Sequence, residues 1–548
     1  MKKKFKEIEP DEIFSDAENL PNFNVHQLEG RLSKPITKRV IFAVGLAFLF
    51  VGLVFMSRIG FIQIAEGKTY FNLSERNRLQ KIPIIAPRGI IYDRNGVELA
   101  WNREGTESIE RAYKAPGFAH VLGFVNYPTK DKAGFYWREN FVGKEGIEKE
   151  YDAVLAGENG LKIIETDVFG DVHSENVVTA TRPGENITLA IDSRLQEKLF
   201  DILKNTARSH FTGGVGILID LKDGGLLTLV NFPEFDSEIV SLGKDREAIA
   251  SFSSDKRKVF LNRAVSGLYT PGSTVKPFLA TAALKENIIT PDTRILSTGS
   301  IALANPYNPN QFSVFNDWKA HGFVDIRDAL AVSSNVYFYE IGGGFESQPG
   351  LGISRIEKYL RLFGLGEKTS IDLEDEAIGT IPNPTWKKER FPGDIWRIGD
   401  TYNTAIGQYG FQVTPLQLAR ATGAIATDGR LLTPHLRHDA SVEESVLAIS
   451  PEIFQVVREG MQQAVTTGTA TSLNFGNLKV AAKTGTAQIG LAKDHLNSWV
   501  IGFAPFTEPR FAFTVLLEDG PKDIGISAQM VMSQLLVFMI ENTPEYFN

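Results

Sequence analysis

The distribution of apolar residues divides this chain into regions with different periods. Val40 to Met56, VIFAVGLAFLFVGLVFM, is a run of 17 residues without a polar side chain, and its apolar character continues past Ser57 and Arg58 through IGFIQI to Ile64. About 20 such residues in a helix cross a bilayer, so the run predicts a transmembrane anchor at 38–64. Lys2, Lys3, Lys4, Lys6, Arg31, Lys34, Lys38 and Arg39 lie before it, against only Arg58 and Lys68 from Ser57 to Glu75. That imbalance predicts a cytoplasmic N-terminus and a body outside the membrane. A cleaved signal peptide is the rival reading. A 39-residue leader is too long for one, and no small-x-small site follows the run. Residues 1–37 mix Lys, Glu, Asp, Pro and Asn with no sustained period, and read as a disordered tail.

Beyond the anchor the pattern alternates with period two and then with period 3.6. RLQKIPIIAPRGIIYDRNGVELAWN predicts a hairpin turning at Asp93-Arg94-Asn95-Gly96, whose charges read as a solvated turn. GVGILIDLKDGGLLTLVNF predicts a second hairpin at Asp223-Gly224-Gly225. Helical spacing marks SRLQEKLFDILKNTA, KPFLATAALKE, SRIEKYLRLFG, PLQLARATGAIA and PEIFQVVREGMQQAV. Three late strands, KVAAKTGTAQI, SWVIGFAP and FAFTVLLED, precede a last helix, AQMVMSQLLVFMIEN. This order predicts an α+β body in which helices pack on an antiparallel sheet.

Composition narrows the chemistry. The chain of 548 residues has 43% hydrophobic and 23% charged residues, as an ordinary globular protein does, and a net charge of −8 with no long basic stretch in the body. A nucleic-acid partner is therefore not expected. No cysteine is present, which removes disulfides, thiolate nucleophiles and cysteine-ligated metals together. The eight histidines show no HExxH spacing, so neither a metal nor another cofactor is expected.

Three short motifs remain. In YTPGSTVKPF, Pro277 is tolerated only in the first turn of a helix, so the helix carrying FLATAAL starts no earlier than about Ser273 or Thr274. Lys276 then lies one turn from Ser273 on the same face, and a desolvated neutral lysine can take a serine proton. Alone the motif is weak, because Ser241-Leu-Gly-Lys244 and Ser253-Ser-Asp-Lys256 repeat the spacing, and an N-cap serine with a surface lysine explains it as well. Ser333-Ser334-Asn335 adds a hydroxyl and an amide in what reads as a loop, although Ser-x-Asn recurs at Ser174 and Ser472. Lys483-Thr484-Gly485 occurs once, inside a strand. Glycine there marks a bulge or a close backbone approach, which would let an extended peptide lie along the strand, while Lys483, Thr484 and Thr486 can contact a carboxylate.

Ser-x-x-Lys, Ser-x-Asn and Lys-Thr-Gly in this order are the set shared by β-lactamases and penicillin-binding proteins. The chain resembles the class B penicillin-binding proteins, in particular the elongation type. APRGIIYDRNGVELAWN and GKEGIEKEYDAVLAGENG resemble their pedestal, and FNDWKAHGFVDIRDALAVSSN, WRIGDTYNTAIGQYGFQVTPLQLA, GMQQAVTTGTA and AAKTGTAQ successive parts of their transpeptidase domain. The resemblance covers about residues 70–545. It implies a penicillin-binding/β-lactamase-like domain over 191–548, an antiparallel sheet with helices on both faces, above a small β-rich pedestal over 65–190 with a reduced head. It also implies roles. Ser273 would be the acylated nucleophile and Lys276 its base. Ser333 would relay a proton, polarised by Lys483, and Asn335 would hold the substrate backbone. Thr484, Gly485 and Thr486 would bind the terminal carboxylate of D-alanyl-D-alanine, and the backbone N–H groups of Ser273 and Thr486 would form the oxyanion hole. Burial and the Lys483 charge would together keep Lys276 neutral.

The resemblance implies a D,D-transpeptidase that cross-links peptidoglycan in cell-wall synthesis at the cytoplasmic membrane and is acylated by β-lactams. Segment 65–190 lacks the patterning of a glycan polymerase, so a SEDS-type glycosyltransferase of the RodA kind and scaffold proteins of the elongation complex are the implied partners. A carboxypeptidase or β-lactamase would use the same triplets, differing in whether water reaches the acyl-enzyme. A β-lactam sensor would need more membrane spans. Two departures from the family stand out. Only 16 residues separate Asn102 from the AHVLGFV stretch, where the family carries a longer head, and Tyr409 in IGQYGF stands where glycine is commoner.

Overall fold

The computed structural model describes residues 37–71, 79–105, 109–132, 135–166, 172–208, 210–305, 308–490, 494–522 and 524–547. The predicted tail 1–36 lies outside them. The described residues fall into two units, one drawn from 37–82 and 163–176, the other from 83–162 and 177–547. In the first, Lys38–Gly60 is α-helical and Phe61–Ala65 continues as a single π turn. The most apolar 18 residues of Lys38–Ala65 have a mean hydropathy of 2.7 and none of them is buried, so this helix is long and apolar enough to span a membrane. Most of a three-stranded sheet, ordered Leu79–Ile84, Gly160–Thr166, Val172–Thr179, also belongs to this unit.

The second unit is built on a five-stranded antiparallel sheet. Its strands are β1 (Gly213–Asp220), β2 (Leu226–Phe232), β3 (Ala481–Ile489), β4 (His495–Ala504) and β5 (Phe511–Pro521), in the spatial order β2-β1-β5-β4-β3. Helices cover both faces, as expected. Val215, Ile217 and Ile219 share one cluster with α2 (Lys276–Lys285), α4 (Pro415–Ala426) and α5 (Pro451–Thr466). Leu218, Val500 and Val515 point the other way, into a cluster with α1 (Ser193–Ala207) and α6 (Ala528–Asn542). Period-two alternation with both faces apolar reads in sequence as an unbroken hydrophobic run, which is why every residue of β1 and β2 is buried. Glycine permits the tightest contact: a β-carbon on Gly216 would lie 2.5 Å from Leu199 Cδ2 of α1.

Helix ends are written in the sequence. Asp192 caps α1 by accepting from Arg194 N, and Thr414 with Gln417 forms a capping box in front of Pro415 at the start of α4. Both hairpins form where predicted, Ile91–Tyr92 pairing with Glu98–Glu104, and β1 with β2. One expectation fails. Asp93 is fully buried and is not part of a solvated turn; its carboxylate accepts from the backbone N–H of Asn95, Val97 and Ser193 and from the Ser193 hydroxyl. It ties the hairpin to the first turn of α1, a partnership across 100 residues that local pattern does not encode. After Asn102, in the short interval before the AHVLGFV stretch, strands Glu98–Glu104 and Ile109–Tyr113 pair, Asn102 opposite Arg111 and Glu104 opposite Ile109.

Next to that hairpin, Glu148 is buried between Arg88 and Arg111, accepting from Arg111 Nε at 2.7 Å, and Arg88 Nη2 reaches Asp152 at 2.7 Å. Burial alone would raise the Glu148 pKa, but the two guanidiniums hold it below the ordinary carboxylate value. Glu148→Ala leaves two buried cations without their shared anion and is expected to destabilise the protein by about 3–5 kcal/mol. Thermal unfolding of the purified protein checks this; an unchanged Tm contradicts it.

Candidate active site

The chain before α2 does not enter the helix directly. Gly272–Val275 forms a 3-10 turn, and the α-helix begins at Lys276 with Pro277 in its first turn. Ser273 lies in that turn, three residues before Lys276, and the α-helix starts no earlier than Ser273 or Thr274, as expected. Gly272 has φ +56°, and a β-carbon on it would sit 3.1 Å from the Thr486 carbonyl oxygen and 3.5 Å from Ala487 Cβ. The serine turn is thus pressed onto strand β3.

That strand is the edge of the sheet, so alternate backbone groups along it face away from β4. The Thr484 carbonyl accepts from Lys483 Nζ at 2.9 Å, and the Thr486 carbonyl faces Gly272. Both residues therefore direct main-chain carbonyls away from β4. Gly485 between them corrects an expectation. It is buried, and a β-carbon there would meet Thr274 Cγ2 at 2.7 Å, the Pro271 carbonyl oxygen at 3.1 Å and Trp499 Cβ at 3.2 Å. The glycine makes room for the serine turn rather than for a peptide.

Ser333, Ser334 and Asn335 approach from the opposite side, at the start of α3 (Asn335–Gly343). Ser333 has φ +60°, a left-handed conformation that costs a non-glycine residue of order 1–3 kcal/mol. Asp317 holds it there: its carboxylate accepts from the Ser334 hydroxyl at 2.8 Å and from Val336 N at 3.0 Å.

Both lysines are completely buried and converge on one hydroxyl. Lys483 Nζ donates to Ser333 Oγ at 2.8 Å; Lys276 Nζ lies 3.4 Å from the same oxygen and donates to the Ser333 carbonyl and Asn335 Oδ1, each at 2.8 Å. Burial pulls the Lys276 pKa down to about 7 against the raising effect of Asp317. The Lys483 pKa is also pulled well below the ordinary lysine value, by burial and then by the neighbouring Lys276 charge. Burial lowers both amines, as expected for Lys276, and the two lysines lie close enough across Ser333 for their charges to oppose each other. Among the described residues the Ser273 hydroxyl has no hydrogen-bond partner, and it opens into a cleft of about 1040 Å³ lined also by Ser333, Asn335, Thr484, Thr486 and Trp499.

All the predicted site residues therefore meet at one place, and the competing spacings do not. Ser241 is buried elsewhere, accepting from Val125 N at 3.1 Å, and Ser253 is exposed with its hydroxyl on the Ile249 carbonyl. Sequence reasoning missed Asp317, and also Thr469, whose hydroxyl accepts from Thr484 Oγ1 at 2.7 Å. Both lie inside stretches that resemble the family, but nothing in their spacing marks them.

The architecture and site are those of a serine acyltransferase of the penicillin-recognising class. Comparison with known proteins agrees: residues 214–536 match the penicillin-binding protein transpeptidase domain and 104–189 the penicillin-binding protein dimerisation domain. The chain belongs to the penicillin-binding protein transpeptidase family. Within it the similarity is to the elongation type, penicillin-binding protein 2. The peptidoglycan D,D-transpeptidase MrdA of Haemophilus influenzae is 28% identical over 93% of each chain. The structure of Pseudomonas aeruginosa PBP2 is 30% identical, with a TM-score of 0.70 over 86% of this chain and 98% of that one. Helicobacter pylori PBP2, solved in complex with MreC, is 27% identical with a TM-score of 0.69 over 85% and 99%.

Gly485→Ala is expected to slow penicillin acylation at least about tenfold and to lower Tm, since its methyl overlaps Thr274. Adding Thr274→Ser removes the nearer clashing atom and restores part of both. Rates from fluorescent-penicillin labelling and a thermal melt check this; a single variant indistinguishable from the parent contradicts it.

Proposed function

We propose that this protein is a membrane-anchored peptidoglycan D,D-transpeptidase that uses Ser273 as nucleophile and Lys276 as base. The observation that carries the reading is the convergence of two buried amines on the Ser333 hydroxyl beneath a cleft into which Ser273 opens. Residues 191–548 would be the transpeptidase domain and 65–190 the pedestal, with the N-terminus cytoplasmic and the rest outside the inner membrane.

Neutral Lys276 takes the Ser273 proton as Oγ attacks the carbonyl of the penultimate D-alanine. The oxyanion that forms is met by the N–H groups of Ser273 and Thr486, a donor pair of the kind worth several kcal/mol. Lys483 and Ser333 pass a proton to the departing nitrogen, the C–N bond breaks, and D-alanine leaves. Asn335 holds the peptide backbone, while Thr484, backed by Thr469, and Thr486 bind the terminal carboxylate beside Lys483. An amine from a neighbouring strand then attacks the Ser273 ester and regenerates the hydroxyl. A β-lactam acylates the same oxygen. Strand polymerisation would fall to a RodA-like glycosyltransferase, and an MreC-like scaffold is the partner suggested by the Helicobacter relative.

Labelling the full-length protein with a fluorescent penicillin and locating the adduct by mass spectrometry tests the nucleophile. The label is expected on Ser273; label on Ser241 or Ser253 rejects the assignment. Lys276→Ala is expected to reduce acylation by about 10²–10⁴-fold while leaving the fold intact, and retained acylation rejects the base. Because only neutral Lys276 accepts a proton, the acylation rate falls as pH drops through about 7 and levels off above it. A rate independent of pH between 5 and 9 contradicts this. Rapid turnover of penicillin would favour a hydrolase instead.

A further inference from the structure

Ser333 and Asn335 line the cleft, but Ser334 between them does not, and it is fully buried. Its hydroxyl turns into a polar cluster behind the motif. It donates to Asp317 Oδ2 at 2.8 Å and accepts from Tyr337 N at 3.3 Å, which caps α3. The same carboxylate collects three further donors: Val336 N at 3.0 Å, Ser297 Oγ at 3.3 Å and, on Oδ1, Trp318 N at 2.9 Å. The Asp317 side chain has no exposed surface at all. A buried carboxylate with this many donors is a fixed point, since any donor that leaves uncovers a desolvated charge.

The turn it fixes is one that serine does not adopt by choice. Ser333 has φ +60°, and the helix begins two residues later. Asp317 grips that turn at Ser334 and Val336, from the side away from the cleft. On the cleft side, Ser333 Oγ then lies 2.8 Å from Lys483 Nζ, and the Ser333 carbonyl and Asn335 Oδ1 each lie 2.8 Å from Lys276 Nζ. One anion behind the turn and two amines in front of it share the same three residues. The anion also acts through space, raising the Lys276 pKa against the effect of burial. The other titratable groups around it are His321, whose Nε2 lies 3.8 Å from Oδ1, and the exposed Lys319. Burial holds His321 below the ordinary histidine value, so near pH 7 it is neutral and leaves the Asp317 charge in place.

Resting on the acyltransferase reading above, we propose that Asp317 and Ser334 are positioning residues for proton transfer, whose mutual bond holds the turn so that Ser333 Oγ and Asn335 Oδ1 meet the two amines. Neither touches the substrate. Ser334 contributes only the bond. Asp317 contributes the bond and a charge, and with that charge gone Lys276 becomes neutral at a lower pH. The two contributions are therefore separable by substitution.

The test measures second-order acylation rates of the full-length protein with benzylpenicillin from pH 5 to 9, with a thermal melt of each variant. Ser334→Ala removes the bond and leaves the charge, so its plateau rate is expected to fall at least about tenfold while its midpoint stays at the parent value of about 7. Asp317→Asn lowers the plateau at least as far and also moves the midpoint down. Its rate at pH 6 becomes a larger fraction of its own plateau than in the parent, by at least about twofold. Both changes break one bond, so the double variant is expected within about threefold of Asp317→Asn alone. Parent-like plateaus in folded variants overturn the proposal, as do losses that multiply in the double variant or an Asp317→Asn midpoint that does not move. A lower melting temperature with plateau and midpoint intact marks a purely structural brace and overturns it too. If Asp317→Asn does not fold, the Ser334→Ala plateau decides alone. Failure of benzylpenicillin to modify Ser273 in the parent, read from the adduct mass, would instead remove the acyltransferase reading.

Discussion

Everything in this cleft depends on burying two lysine amines around a single hydroxyl. A lone ammonium in a low-dielectric interior is costly, and two within reach of one oxygen are worse, so the site is stable only if at least one is neutral. The fold accepts that cost by giving each amine oxygen acceptors: the Ser333 carbonyl and Asn335 Oδ1 for Lys276, Ser333 Oγ and the Thr484 carbonyl for Lys483. Asp317 supplies the nearby negative charge and at the same time locks the Ser333 turn. A neutral amine near pH 7 thus arises from packing, with no histidine among the described residues that line the cleft.

That packing demands unusually close approach of three backbone segments, and glycine provides it at each junction. Gly272 meets Thr486, Gly407 meets Gly272, and Gly485 meets Thr274. The serine turn is held from two sides, by β3 and by the 407–410 turn, which explains why it forms a tight 3-10 segment and the α-helix waits until Lys276. The Lys-Thr-Gly motif reads differently in this light: its lysine and threonine face chemistry, its glycine faces the scaffold.

Much of this was legible in the chain. Amphipathic helices such as Ser193–Ala207 and Pro415–Ala426 and the buried strands show their extent through period and caps, because local burial is written in local sequence. The three motifs mark six side chains that do converge, those of Ser273, Lys276, Ser333, Asn335, Lys483 and Thr484. What was not legible are the groups that act through others. Asp317 reaches Ser334 across 17 residues, Thr469 reaches Thr484 across 15, and Asp93 reaches Ser193 across 100. An aspartate in a loop and an aspartate under a turn have the same neighbours in sequence; only the fold distinguishes them. Gly485 was visible but misread for the same reason, since a strand glycine signals closeness without saying to what.

An exposed sheet edge is ordinarily a hazard, because its unpaired N–H and C=O groups can recruit any extended chain. Here β3 is left as such an edge, yet the segment pressed against Gly272, Thr274 and Pro271 is blocked to a long partner. What stays open is the outward face of Thr484 and Thr486, in a cleft lined also by Ser333, Asn335 and Tyr409. An edge limited in this way would accept a few residues of extended peptide and refuse a strand, which is the geometry a short stem peptide requires and an aggregating neighbour lacks. The same walls that would set substrate length therefore also protect the edge, so widening the cleft would trade selectivity against solubility.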